Sequence, residues 1–176
     1  MNDVQDGICN CIGTPSNADA CVGERGTIKA LYWDDITGNK IYNLQSSPNY
    51  PLKPNRIESL DKFQGPIIHA NNFGSRVRAI LIVPVTGAYT FNITGDDETW
   101  LYFSPTPSFE NATVIAQISN WTNETEHDKY VGQTSNTFQL QAGQLCYLEI
   151  NHKEGTGGDH FAVHWKTPFL PTTNGK

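Results

Sequence analysis

An all-β fold, an antiparallel sandwich with long loops, is what this sequence predicts, and three observations predict it. Apolar and polar residues alternate at period two in one run after another, while helical periodicity is almost absent. The runs are short and rich in β-branched or aromatic residues. Gly, Pro, Asn or Asp bounds nearly every one of them. The 176 residues, 38% apolar and 11% aromatic, suffice for one domain with its own core; a chain of this size removes roughly 70% of its unfolded surface from water.

Taken in order, residues 1–26 form an irregular arm holding Cys9, Cys11 and Cys21, residues 27–170 the sandwich domain, and residues 171–176 a tail. Between residues 28 and 72, Tyr32, Trp33, Ile36, Leu44, Tyr50, Leu52, Ile57 and Phe63 are scattered among Pro, Asn and Ser. That pattern reads as one strand, long loops and one short helix. Val77, Ala79, Leu81 and Val83 then share one strand face, as do Tyr89, Phe91 and Ile93, with Thr90, Asn92 and Thr94 opposite. Pro84-Val85-Thr86-Gly87 between them reads as the turn of a hairpin. Runs at 100–104, 114–118, 145–150 and 161–166 complete the set. In the last, Phe161, Val163 and Trp165 face the core, and Pro168 and Pro171 end the pairing.

Eighteen acidic residues against twelve basic ones give a formal charge of −6. No basic stripe is available to neutralise phosphates or anionic headgroups, so neither nucleic acid nor electrostatic membrane docking is expected. No stretch approaches the roughly 18 apolar residues of a membrane span, so no direct membrane insertion is expected. An initiating Met without an export signal predicts a domain of a longer secreted or cell-surface protein. Cys9, Cys11, Cys21 and Cys146 make an even set. Two disulfides, with Cys146 tying down the arm, fit the spacing better than a zinc site, although His152 lies six residues beyond Cys146. Asn92, Asn111, Asn120 and Asn123 head N-glycosylation triplets, which also read as ordinary polar turns.

Chemistry concentrates in two loops. Gly95-Asp96-Asp97-Glu98 sets three successive carboxylates between two strands. They make either an Asx-type turn with solvated neighbours or part of a hard-cation site. Calcium takes about six to eight oxygens, so a second loop must contribute. The segment from His152 to His160, with Glu154, Asp159 and three glycines, is such a loop: glycine lets the backbone turn sharply and aim carbonyls inward. His152, His160 and Asp159 together read either as a transition-metal set or as turn caps. No helix follows the glycines, which argues against a phosphate cradle. Neither a Gly-x-Ser-x-Gly elbow nor a His-Glu-x-x-His helix occurs, and adjacent carboxylates cannot easily straddle a glycosidic bond. No enzyme is expected.

Two stretches, VPVTGAYTFNITGDDETWLYFS and AGQLCYLEINHKEGTGGDHFAVHW, resemble the PA-14 domain family, named for the protective antigen of anthrax toxin. The resemblance runs over about 27–168 and implies a β-sandwich serving as a ligand-binding or accessory module. Lectin-type members carry two consecutive Asp joined by a cis peptide, which bind calcium and through it vicinal sugar hydroxyls; Asp96 and Asp97 match that pair. In those lectins a second loop completes the site, corresponding here to residues 153–159. This loop lacks the Asn that flocculins use. The resemblance therefore implies Asp159 and the carbonyls of Gly155 and Gly157 as the remaining metal ligands. Sugar contacts are expected from Asp96, Asp97, Lys153, Glu154, Thr156 and His160. Trp121 is expected to be a buried anchor rather than a stacking platform.

The resulting expectation is a calcium-dependent carbohydrate-binding module, a lectin of a secreted or cell-surface adhesin, whose partners are glycans or glycoproteins on a cell surface. The alternative is a non-catalytic interaction or spacer domain of a larger surface or glycan-processing protein, without a sugar-binding calcium.

Overall fold

The computed structural model of the protein describes residues 28–67 and 70–168, together with the backbone of Asn2–Asp3 and Gly7–Ile8. In chain order its elements are β1 (Asn2–Asp3), β2 (Gly7–Ile8), β3 (Ile28–Trp33), α1 (Ile41–Gln45), β4 (Arg56–Leu60), β5 (Phe73–Ile82) and β6 (Gly87–Asp96). There follow β7 (Glu98–Ser104), β8 (Thr113–Ile118), β9 (Phe138–Leu140), β10 (Leu145–Glu154) and β11 (His160–Lys166). Single 3-10 turns occupy Phe109–Asn111 and Val131–Gln133.

The strands form two antiparallel sheets. The smaller runs β1-β11-β6-β9 and the larger β4-β3-β5-β10-β7-β8, with β2 also on β5. The core lies between them. Phe91 and Phe138 of the smaller sheet meet Phe103 of the larger at ring-centroid distances of 5.4 and 4.6 Å, and Trp165 packs on Tyr89 and Phe91. Val77, Ala79, Leu81 and Val83 are buried, as are Tyr89, Phe91 and Ile93, which is the period-two pattern realised. Phe161, Val163 and Trp165 face inward as expected, while Lys166 is exposed.

Three expectations need correction. The residues before and after Pro84 to Gly87 do not pair with each other: β5 belongs to the larger sheet and β6 to the smaller. The connection is an arch between sheets, and a turn signal reads the same whether the chain folds back in its own sheet or crosses to the facing one. Residues 28–72 hold two strands rather than one. Ile57, expected as part of a loose segment, sits on β4, an edge strand paired with β3 at Leu31↔Ile57. Its exposed side chain conceals the strand from a search for apolar alternation.

The third concerns covalent ties. Cys146 is a free thiol, fully buried in the inter-sheet core, and burial pushes its pKa up to about 11. β10 is a central strand, and its alternation turns Cys146 inward with Leu148 and Ile150. Cys9, Cys11 and Cys21 lie outside the described residues. Nor does the fold present Asn92, the head of one glycosylation triplet, to solvent. It is buried, and its amide donates at 2.8 Å to both the His127 carbonyl and Thr134 Oγ1. Asn111, Asn120 and Asn123 are exposed.

Candidate metal centre

The two loops singled out in the sequence come together because each crosses between the sheets at the same end. Asp96 and Asp97 lead from β6 to β7, and residues 155–159 lead from β10 to β11. β11 pairs with β6 through His160↔Asp96, and β10 with β7 through Lys153↔Glu98, so the two crossings lie side by side. The Asp96–Asp97 peptide is cis. Gly95, just before it, has to be glycine, since a Cβ there would lie 2.2 Å from Thr99 Oγ1. Thr122 holds the outer side of this crossing: its amide donates to the Gly95 carbonyl at 2.8 Å, and its Oγ1 accepts from the Gly95 amide at 3.1 Å.

The three successive carboxylates part company here. Glu98 turns to the start of α1, where its Oε2 accepts the Ile41 amide at 2.5 Å. Asp96 and Asp97 stay at the crossing and are joined by Glu154 from the end of β10. A carboxylate oxygen from each of Asp96, Asp97 and Glu154 lies within 4.8 Å of the others. Glu154 is 0% exposed, and neither of its oxygens has a hydrogen-bond partner. Burial, followed by repulsion from Asp97, Asp96 and Asp159, pushes its pKa up to about 8. Asp96 rises to about 6 by burial and by the charges of Asp97 and Asp159. Asp159 is buried close by and accepts the Ala70 amide at 3.4 Å.

The neighbouring groups take other tasks. The Gly155 amide donates to Asp97 Oδ2 at 3.0 Å, while its carbonyl accepts from Asn72 at 2.6 Å. Gly155 thus enters the cluster through its N–H and directs its carbonyl to Asn72, contrary to the carbonyl role expected of it. Gly157, at φ +126, donates to Asn71 Oδ1 at 3.1 Å. Lys153, expected at the sugar rim, is instead fully buried. Its ammonium donates to the carbonyls of Gly38, at 2.6 Å, and Glu154, and burial draws its pKa down to about 8. Thr156 is exposed, as a rim residue must be.

The histidines form no joint metal set. The ring of His152 packs between Phe73 and Phe161, and its Nε2 bonds to the Asp96 carbonyl at 2.6 Å. Burial lowers its pKa to about 4, so it stays neutral and donates to that carbonyl. His160 is buried near Glu124 and Asp159 rather than presented to solvent. Trp121, expected to be buried, is 42% exposed beside the crossing, with the Lys129 ammonium 3.3 Å from its ring centroid. Sequence reasoning missed the segment from Gly38 to Lys40, whose Gly38 carbonyl steadies Lys153; the one signal available was the turn-like Thr37-Gly38-Asn39.

Three all-oxygen donors, one of them buried with no partner, suit a hard divalent cation, and the acidic cluster could hold a metal ion. The two-sheet sandwich that carries it is the architecture of a PA14 domain. That family matches residues 26–168, and the chain belongs to it. Among relatives, Fibrocystin-L of Mus musculus is 34% identical over 89 residues, which is 51% of this chain and 2% of that protein. The chain therefore spans only a small part of that relative's length. Among solved structures, the fold is similar to a β-glucosidase from Kluyveromyces marxianus in complex with glucose, with a TM-score of 0.61, 12% identity, and coverage of 95% of this chain and 18% of that one. It is also similar to the Epithelial Adhesin 9 A domain from Candida glabrata in complex with Galβ1-4GlcNAc, with a TM-score of 0.56, 14% identity, and coverage of 93% and 89%. The Epithelial Adhesin 6 A domain of the same organism, in complex with Galβ1-3GlcNAc, gives 0.52, 17%, 97% and 88%. At such identities the likeness concerns the fold.

Proposed function

We propose that this domain is a calcium-dependent carbohydrate-binding module of a secreted or cell-surface adhesin. The observation that carries the reading is Glu154, a buried carboxylate without a hydrogen-bond partner, drawn within 4.8 Å of the Asp96 and Asp97 oxygens. Three close carboxylates repel one another in a poorly solvated site, and a divalent cation converts that repulsion into attraction. Asp96, Asp97 and Glu154 would hold calcium, with Asp159 and the Gly157 carbonyl completing its shell. Calcium when bound supplies open coordination positions for two adjacent sugar hydroxyls.

Around that point the chain's own residues orient the ligand. The Gly155 amide holds Asp97, the His152 ring holds the Asp96 carbonyl, and the Lys153 ammonium fixes the strand end against Gly38. Thr156 and Trp121, both exposed, would offer further contacts to the sugar. The adhesin A domains of similar fold, which bind galactosyl disaccharides, favour this reading. No catalytic role is assigned to any residue. A second reading, a non-catalytic interaction or spacer domain of a larger glycan-processing protein, draws on the β-glucosidase, in which this fold corresponds to 18% of the chain.

The test is an immobilised glycan panel probed with calcium and with chelator, using wild type and Asp97→Ala. Binding to a subset of glycans that chelation removes, and that the folded Asp97→Ala variant lacks, is expected. Binding that persists in chelator at the same glycans, or in the folded variant, rejects the metal-mediated mechanism.

A further inference from the structure

A cavity of about 200 Å³ opens on the outer face of the larger sheet, on the opposite side of β10 from Glu154. Strand alternation produces it. Cys146, Leu148 and Ile150 point into the core, so Tyr147, Glu149 and Asn151 point outward. An outward row normally meets water, yet Asn151 is only 2% exposed and its two companions are buried as well. α1 and the segment bearing Tyr50 stand over the sheet on one side, and the 3-10 turn of Phe109 stands on the other.

The floor of the cavity is polar. Arg76 Nε donates to Glu149 Oε2 at 2.9 Å, Arg78 Nε lies 3.1 Å from the same oxygen, and the Tyr147 hydroxyl donates to it at 2.5 Å. The Asn151 side chain stands beside the phenols of both Tyr50 and Tyr102. Its Oδ1 remains buried without a partner. A buried acceptor left unpaired is costly, and one lining a cavity is satisfied by whatever donor enters. Phe109, 57% exposed at the mouth, adds a bare aromatic face above this polar floor.

We propose that this cavity binds one pyranose ring of a neutral saccharide, independently of the acidic cluster. The volume falls below the roughly 300–1,000 Å³ of pockets for drug-sized ligands, which suits a single ring. Planar amide and carboxylate groups beside phenols match closely spaced hydroxyls, and Asn151 Oδ1 takes one of their protons. The C–H face of the ring covers Phe109. Glu149 is ion-paired with both guanidiniums, and the test below asks whether they also draw a ligand carboxylate.

The experiment is an amide NMR titration of the Asp97→Ala variant in chelator with the methyl pyranosides of glucose, galactose and mannose, and with methyl glucuronide. Shifts confined to the neighbourhood of Tyr102, Phe109 and Asn151 are expected with at least one neutral glycoside. Phe109→Ala, a surface change, should weaken that binding by about 5- to 10-fold. Asn151→Leu, which keeps the volume and removes the acceptor, should abolish it. No shift with any neutral glycoside, shifts with the glucuronide alone, or unchanged binding by folded Phe109→Ala would each overturn the proposal.

Discussion

Glu154→Gln should strengthen the metal-free fold and weaken the metal-bound one, and the magnitude follows from the burial of Glu154. Its folded pKa stands at about 8 against an ordinary 4.5, and each unit is about 1.4 kcal/mol. Below pH 4.5 both folded and unfolded chains hold the proton, and no penalty arises. Between 4.5 and 8 the unfolded chain ionises while the folded one retains the proton, so stability falls as pH rises; above 8 the loss is complete. At pH 7 the cost is about 3 kcal/mol, which glutamine, of the same shape and without charge, avoids. For a domain of this size that corresponds to a Tm gain of roughly 5–10 °C in chelator. The gain should shrink toward zero at pH 4.5. Thermal unfolding followed by circular dichroism at pH 4.5, 7 and 8, with chelator and then with excess calcium, measures both effects. Calcium should raise the wild-type Tm and leave the variant nearly unmoved. A variant whose Tm change is the same at every pH, or whose calcium response equals that of wild type, would refute the reasoning.

On the opposite face, Glu149→Ala strips the shared partner from two buried guanidiniums, Arg76 and Arg78. A loss of about 3–5 kcal/mol in urea unfolding is expected, and a loss under about 1 kcal/mol would show that the ion pair is not desolvated. Cys146, fully buried with a raised thiol pKa, should resist iodoacetamide at pH 8 in the native protein and react once denaturant unfolds it. Native-state labelling at Cys146 at the rate of a free peptide thiol would contradict its place in the core.

Much of this protein is legible without coordinates. The alternation of Val77 to Val83 and Tyr89 to Ile93 marked strands and their inward faces, because a residue's side of a strand is set by local backbone geometry. The consecutive Asp96 and Asp97 and the glycines that follow Glu154 likewise marked the two crossings that meet in space. β10 runs on to Glu154, past the run read at 145–150, and its parity separates Lys153 from Glu154. It does not say which of the two turns toward the aspartates.

That choice, and the rest of the site, belonged to tertiary structure. β5 and β6 cross between sheets instead of forming a hairpin, Glu98 leaves its two neighbours to meet the α1 amide, and Gly155 offers its N–H rather than its carbonyl. Each outcome depends on a partner distant in the chain, such as Ile41 for Glu98 or Gly38 for Lys153. Sequence by itself determined the strands with clear apolar alternation, their faces and the acidic pair, since these follow from neighbours along the backbone. Only the packing of the two sheets decided which carboxylate joined that pair and which lysine was buried, because burial and charge repulsion depend on groups that folding brings together.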